Sequence, residues 1–154
     1  MTIHIGDIAP DFALQAVNGE TVQLSDFLGK QVILYFYPKD STPGCTQEAC
    51  DFRDRQEEFG QLDTVILGIS PDPVKAHIKF AAKFGLPFLL LADEEHEVSK
   101  KYEVWALKKN YGKEYMGIVR STFLVSKEGT LLKEWRKVSV KGHVEEALAF
   151  VKKQ

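Results

Sequence analysis

Cys45 and Cys50 are the only thiols among 154 residues, and they stand five positions apart in the run Pro38-Lys39-Asp40-Ser41-Thr42-Pro43-Gly44-Cys45-Thr46-Gln47-Glu48-Ala49-Cys50. An apolar run at residues 32–37 precedes them, and residues 46–59 read as helix. Cys45 is therefore expected in the first turn of a helix, just past the end of a buried strand. First-turn amides lack intrahelical acceptors, and the helix dipole is positive there. Both favour the thiolate, which is the nucleophilic form of cysteine. An ordinary thiol, with a pKa of about 8.5, is only a few per cent ionised at neutral pH. A second thiol downstream could capture whatever the first becomes on oxidation.

The thiolate needs a cation, and Arg120 is the candidate. It begins a strand expected beside the central one, so its guanidinium would reach the strand-end crevice where α/β sheets place ligands. Thr42 would put a hydroxyl in the same pocket, able to donate to and accept from a small H–O–O–R molecule. Pro38 and Pro43 lack an N–H and fix their own φ, which stiffens the loop around the sulfur. Pro38 would also shield the thiolate from water.

Cys50 poses a geometric problem. Five residues of α-helix give a rise of about 7.5 Å and a rotation of about 140°, which separates the Cα atoms by about 8–9 Å. A disulfide spans at most about 7 Å between Cα atoms. Bridging the pair therefore requires the first helical turn to unwind or Cys50 to leave the helix.

The surrounding elements follow from hydrophobic pattern. Residues 11–14 and 21–24 flank Asn18-Gly19, a hairpin signal. Residues 25–29 read as a short helical turn. Residues 32–37 and 64–70 are nearly continuous apolar runs, as expected of strands covered on both faces. Asp72-Pro73 reads as N-cap and first residue of a helix that runs to Phe84 and stops at Gly85. Residues 88–91 read as a strand, 93–102 as helix and 103–117 as an irregular loop with aromatic anchors. Residues 121–125 and 131–135 flank a second turn, and residues 141–153 read as a closing helix. This order predicts one α/β domain over residues 1–154: a mixed central sheet with helices on both faces, an added N-terminal hairpin and right-handed crossovers.

Composition narrows the function classes. Hydrophobic content is 44%, charged content 27% and formal net charge −2, with no basic block. Neither nucleic acid nor an anionic membrane is an expected partner. No apolar run has bilayer-spanning length, and residues 1–7 show no basic segment followed by an apolar core. The expected location is cytoplasmic, where an isolated pair of cysteines points to redox chemistry rather than to a structural staple. His4, His77, His96 and His143 share no spacing and read as solvated. Trp105, Tyr111 and Tyr115 would either wall a substrate entrance or pack a long loop. Lys108 and Lys109 make a small positive patch that reads as solvation.

The segment Tyr35-Phe36-Tyr37-Pro38-Lys39-Asp40-Ser41-Thr42-Pro43-Gly44-Cys45-Thr46 closely resembles the active-site segment of peroxiredoxins, and within them the bacterioferritin comigratory protein or peroxiredoxin Q subfamily. The likeness extends to residues 6–12, 48–54 and 117–125, with Ser126 standing where many relatives carry an acidic residue. The resemblance implies a thioredoxin-like fold and a thiol peroxidase acting on hydrogen peroxide and small organic hydroperoxides. It implies Cys45 as the peroxidatic cysteine, Cys50 as the resolving one, and Pro38, Thr42 and Arg120 as the pocket, with Glu48 orienting the arginine. It further implies thioredoxin or a glutaredoxin-like donor as reductant, a monomer, and no metal, haem or flavin. On residue types alone, plainer readings stand beside these: a packed thiol for Cys50, a surface ion pair for Arg120 and a solvated carboxylate for Glu48. Two other functions also stand beside them, a copper-binding module on the same fold and a dithiol oxidoreductase. The first wants a closer cysteine pair with a placed histidine, and the second a Cys-x-x-Cys spacing.

Overall fold

The computed structural model describes residues 3–154, the side chain of Asn110 excepted. Met1 and Thr2, which open the segment read for a leader, lie outside the described residues. The chain begins with a hairpin, β1 (Ala13–Ala16) and β2 (Thr21–Gln23), and a 3-10 turn at Leu24–Phe27. Then come β3 (Gln31–Phe36), α1 (Pro43–Gln61), β4 (Thr64–Ser70), α2 (Val74–Phe84) and β5 (Leu89–Ala92). The chain continues through α3 (Glu97–Lys101), β6 (Trp105–Asn110), β7 (Lys113–Ile118), β8 (Ser121–Val125), β9 (Leu131–Trp135) and α4 (His143–Lys152).

The main sheet has seven strands in the order β2-β1-β5-β4-β3-β8-β9. β3, β4 and β5 are parallel to their neighbours in that trio, and the other pairings are antiparallel. β3 is central because it is apolar on both faces. Val32, Leu34 and Phe36 pack with Phe12, Val98 and Tyr102, while Ile33, Tyr35 and Tyr37 pack with Phe52, Phe80 and Leu148. So α1, α2 and α4 cover one face, and α3 with the N-terminal segment covers the other. Both βαβ crossovers put their helix on the same face, as a fixed right hand requires when the strands advance in one direction. The Tyr35 ring reaches across β4 at Gly68, where a Cβ would sit 2.9 Å from that ring and 2.8 Å from Leu90. Tyr35 then stacks on Phe52 at 4.7 Å, seating α1 on the sheet. This is the thioredoxin-like arrangement expected, with its N-terminal hairpin on the β5 edge.

Some expectations are corrected. Residues 103–117 are not an irregular loop but most of a separate antiparallel ribbon, β6 paired with β7. Its two-residue turn places Tyr111 and Gly112 at φ 52° and 77°, the backbone of a type I′ turn, which Asn-Gly usually announces and Tyr-Gly does not. Trp105 stacks on His96 at 3.8 Å, and Tyr111 is 98% exposed. Helix α2 starts at Val74 with Pro73 as its cap, because the Asp72 carboxylate turns away to accept from the Asp40 amide at 2.6 Å. Helix α3 is shorter than expected, since Asp93 folds its carboxylate onto the amides of Val98 and Ser99 and His96 turns to φ 60°. His77 and His143 are buried, not solvated. Each lies on the inward stripe of its helix, His77 with Phe80 and Phe84, His143 with Ala147 and Val151. Ser126 closes the β8–β9 turn through its Oγ, 2.8 Å from Thr130 Oγ1.

Candidate active site

Strand register assembles the site. β8 runs antiparallel to β3 with Ser121 opposite Phe36, so Arg120 lies just past the last pair, level with the start of the loop leaving β3. The Val138 amide donates to the Arg120 carbonyl at 2.9 Å and pins its backbone. The side chain then crosses to the first turns of α1. Nη2 donates to Cys45 Sγ at 3.3 Å, and Nη1 donates to Glu48 Oε1 at 2.7 Å. Gly44 permits the approach, because a Cβ there would stand 3.2 Å from Nη2.

α1 begins earlier than the pattern predicts. Thr42 is its N-cap in extended backbone, and Pro43 opens the helix. A proline at that place gives up only an amide that no carbonyl would have received. The amides of Gly44 and Cys45 then belong to the orphan donors of the first turn. No acidic residue lies in that turn. The buried Sγ of Cys45, 1% exposed, thus meets a guanidinium and the positive end of the helix.

Glu48 is fully buried. Burial pushes its carboxyl up to about 7, against the pull of the Arg120 guanidinium. Burial also opposes the charge on Arg120, but Glu48 and Cys45 outweigh it and hold the guanidinium above its ordinary value. Glu48 Oε2 has no hydrogen-bond partner among the described residues. A carboxyl that titrates near neutrality beside the arginine can keep or release a proton there.

Thr42 donates its hydroxyl hydrogen to the Lys39 carbonyl at 2.9 Å. Its oxygen keeps acceptor capacity, so of the two roles expected from sequence the accepting one is left open. Pro38 is half-buried at the bend between Tyr37 and the loop. Cys50 is a free, half-buried thiol on the same unbroken helix as Cys45. The helix keeps the two Cα atoms about 8–9 Å apart, which is too far to bridge. The structure thus joins Cys45, Glu48 and Arg120 in one bonded group, puts Thr42 at the head of the same helix, and leaves Cys50 outside that group. Sequence reading gave Asp40 no role and took His77 for a solvated residue, yet the two lie buried at the loop, 2.6 Å apart. The helical stripe His77, Phe80, Phe84 was the signal that places His77 inward.

A family profile, the AhpC/TSA family, matches residues 5–133. Peroxiredoxin Bcp of Bacillus subtilis is 63% identical over 152 residues, covering 99% of this chain and 97% of its own. The putative peroxiredoxin bcp of Coxiella burnetii is 50% identical, covering 96% and 98%. Among solved structures, the bacterioferritin comigratory protein of Xanthomonas campestris, described for its alkyl peroxide reduction activity, superposes with a TM-score of 0.91 at 40% identity, covering 98% and 96%. PrxQ of Xylella fastidiosa, as a cysteine-to-serine mutant, gives 0.93 at 35% identity, covering 99% and 98%. The buried thiol under an arginine at a helix start and these matches agree: the chain belongs to the AhpC/TSA family, beside the Bcp or peroxiredoxin Q proteins, and is an oxidoreductase of the thiol-peroxidase type.

Proposed function

We propose that this single-domain chain reduces hydrogen peroxide and small organic hydroperoxides with Cys45 as nucleophile and Cys50 as resolving thiol. The observation that carries the reading is the Arg120 fork, with Nη2 on Cys45 Sγ at 3.3 Å and Nη1 on Glu48 at 2.7 Å. The Cys45 thiolate attacks one peroxide oxygen, the O–O bond breaks, and the second oxygen leaves as hydroxide or alkoxide that takes up a proton. Cys45 becomes a sulfenic acid. Arg120 and the first-turn amides stabilise charge moving onto the leaving oxygen, as oxyanion-hole donors do. Thr42 accepts from the peroxide O–H, and Pro38 with Thr42 shapes the pocket. Glu48 holds the arginine in place.

The Cys50 thiol then displaces water from the sulfenic acid to form a Cys45–Cys50 disulfide. The first turns of α1 must open for this, because the intact helix holds the pair too far apart. A thioredoxin, or a glutaredoxin-like dithiol, returns both thiols by exchange and leaves with the disulfide. The reading includes a monomer working in the cytoplasm. No helix among the described residues is long and apolar enough to cross a membrane.

Intact mass after one equivalent of peroxide tests the cycle. Loss of two hydrogens in the wild type, a retained sulfenic acid in Cys50→Ser, and no reaction in Cys45→Ser are the expected outcomes. Undiminished peroxide consumption by Cys45→Ser overturns the assignment of the nucleophile, and a covalent dimer overturns the intramolecular step.

A further inference from the structure

Behind the catalytic loop lies a buried polar cluster that takes no part in the steps above. Asp40 is 7% exposed and His77 is fully buried. Tyr37 Oη donates to Asp40 Oδ1 at 2.6 Å, His77 Nδ1 lies 2.6 Å from Asp40 Oδ2, and His77 Nε2 lies 3.0 Å from the Leu91 carbonyl. The proton count of this cluster follows from its geometry. A carbonyl oxygen can only accept, so Nε2 carries hydrogen. The short contact between Nδ1 and Oδ2 needs a hydrogen as well, whichever atom owns it. A neutral imidazole and a carboxylate bring one hydrogen between them, so the pair holds one more, as imidazolium–carboxylate or as imidazole–carboxylic acid. Either form is neutral overall, which a buried site tolerates. Burial keeps the Tyr37 phenol protonated and donating. From the β4 end, Asp72 faces the backbone of the pair, accepting from the Asp40 amide at 2.6 Å.

Asp40 is thereby bonded to the end of β3 through Tyr37, to α2 through His77, and to the turn after β4 through Asp72. The next residue, Ser41, stands at φ 64°, a conformation that non-glycine residues avoid. Thr42 and the first turn of α1 follow at once. We propose that Asp40 and His77 are positioning residues of the peroxidase reaction: joined by a shared proton, they fix residues 38–42 in the shape that presents Thr42 and the Cys45 turn to peroxide. The proposal deepens the peroxidase reading and rests on it, since the geometry it protects is that of the Cys45 pocket.

The kinetic test is single-turnover stopped-flow oxidation of reduced protein by hydrogen peroxide, with folding checked by circular dichroism. Asp40→Ala and His77→Leu are expected to slow Cys45 oxidation by about 10- to 100-fold, the scale of a displacement near 1 Å. Asp40→Asn is expected to recover most of that loss. Its amide can donate to Nδ1 of a neutral imidazole while its carbonyl still accepts from Tyr37. Rescue by the amide separates positioning from bulk stability, which is read from urea unfolding of the same variants. Wild-type oxidation rates in folded Asp40→Ala and His77→Leu overturn the proposal. Should either fail to fold, Tyr37→Phe and His77→Gln replace them, and wild-type rates in both overturn it equally. Nitrogen-15 NMR of His77 in the resting protein does not depend on turnover. Hydrogen on Nε2 with Nδ1 protonated or strongly hydrogen-bonded supports the shared proton, and a bare nitrogen without a partner overturns it. Failure of wild-type Cys45 to react with peroxide would sink the peroxidase reading while leaving the NMR result to stand alone.

Discussion

Ser41 in the catalytic loop and Tyr111 at the tip of the β6–β7 ribbon share an uncommon backbone, φ 64° and 52°. That region costs a non-glycine residue about 1–2 kcal/mol. What holds each residue there differs. Ser41 follows Asp40, which is bonded to Tyr37, His77 and Asp72, and precedes Thr42, which bonds back to Lys39. Tyr111 projects into solvent, and its turn is held by the ladder between β6 and β7. The ribbon's strain is incidental to closing a two-residue hairpin. The loop's strain is enforced by buried polar groups that a core built for stability alone has no reason to contain. Their placement behind Cys45 ties the shape of the loop to the chemistry in front of it.

The contrast breaks most sharply at Arg120, whose guanidinium donates to both the Cys45 sulfur and Glu48. Arg120→Met is expected to slow oxidation of Cys45 by about 10²- to 10³-fold, the scale of removing an oxyanion-hole donor. It also leaves the buried Glu48 carboxyl without its cation. Arg120→Met/Glu48→Gln removes that burden, so the double variant should unfold in urea near the wild-type midpoint and yet remain slow with peroxide. A double variant that reacts at the wild-type rate would place the guanidinium outside the chemistry.

The same two regions show what the amino-acid pattern made legible. Continuous apolar runs announced β3 and β4, and the peroxiredoxin-like run around Cys45 announced a thiol in the first turn of a helix, though not the start at Pro43, and a cationic partner seventy-odd residues along the chain (Cys45 to Arg120). Distant pairing was readable because Arg120 sits at a strand end, and strand ends have few places to go. The ribbon was illegible because its turn is Tyr111-Gly112 and its strands carry lysines on both faces. The proton-sharing pair was missed because a histidine can belong to either side of an amphipathic helix, and only the stripe with Phe80 and Phe84 decides. The start of α2 slipped because Asp72 serves Asp40 instead of its own helix.

Glu48 sharpens the comparison through pH. Its carboxyl titrates near 7 in the folded protein against an ordinary 4.5, raised chiefly by burial. A raised folded value means that the group favours the folded state fully below about 4.5 and that this contribution is lost as pH climbs through about 7. The loss is on the order of 3 kcal/mol at most. Glu48→Gln keeps an acceptor for Arg120 but cannot ionise. Relative to it, wild type should lose stability between pH 4.5 and 8 in urea unfolding. A difference that stays constant over that interval would show that Glu48 keeps its charge throughout.

The smallest effect is expected where the strain is incidental. Tyr111→Asn gives the ribbon an Asn-Gly turn, the pair best suited to positive φ at both central positions. Removing the misfit should raise stability by a few tenths of a kcal/mol to about 1 kcal/mol, which for a chain of this size moves the melting temperature by about 1–4 °C. Tyr111 touches none of the bonded groups around Cys45, Asp40 or Arg120. Its replacement should therefore leave the single-turnover rate with peroxide within about twofold, in line with surface substitutions generally. A gain in melting temperature with an unchanged rate marks the ribbon's strain as separable from catalysis. A tenfold fall in rate would instead mean that the ribbon tip reaches the peroxide pocket during turnover, and that the division between an anchored loop and an idle turn is wrong.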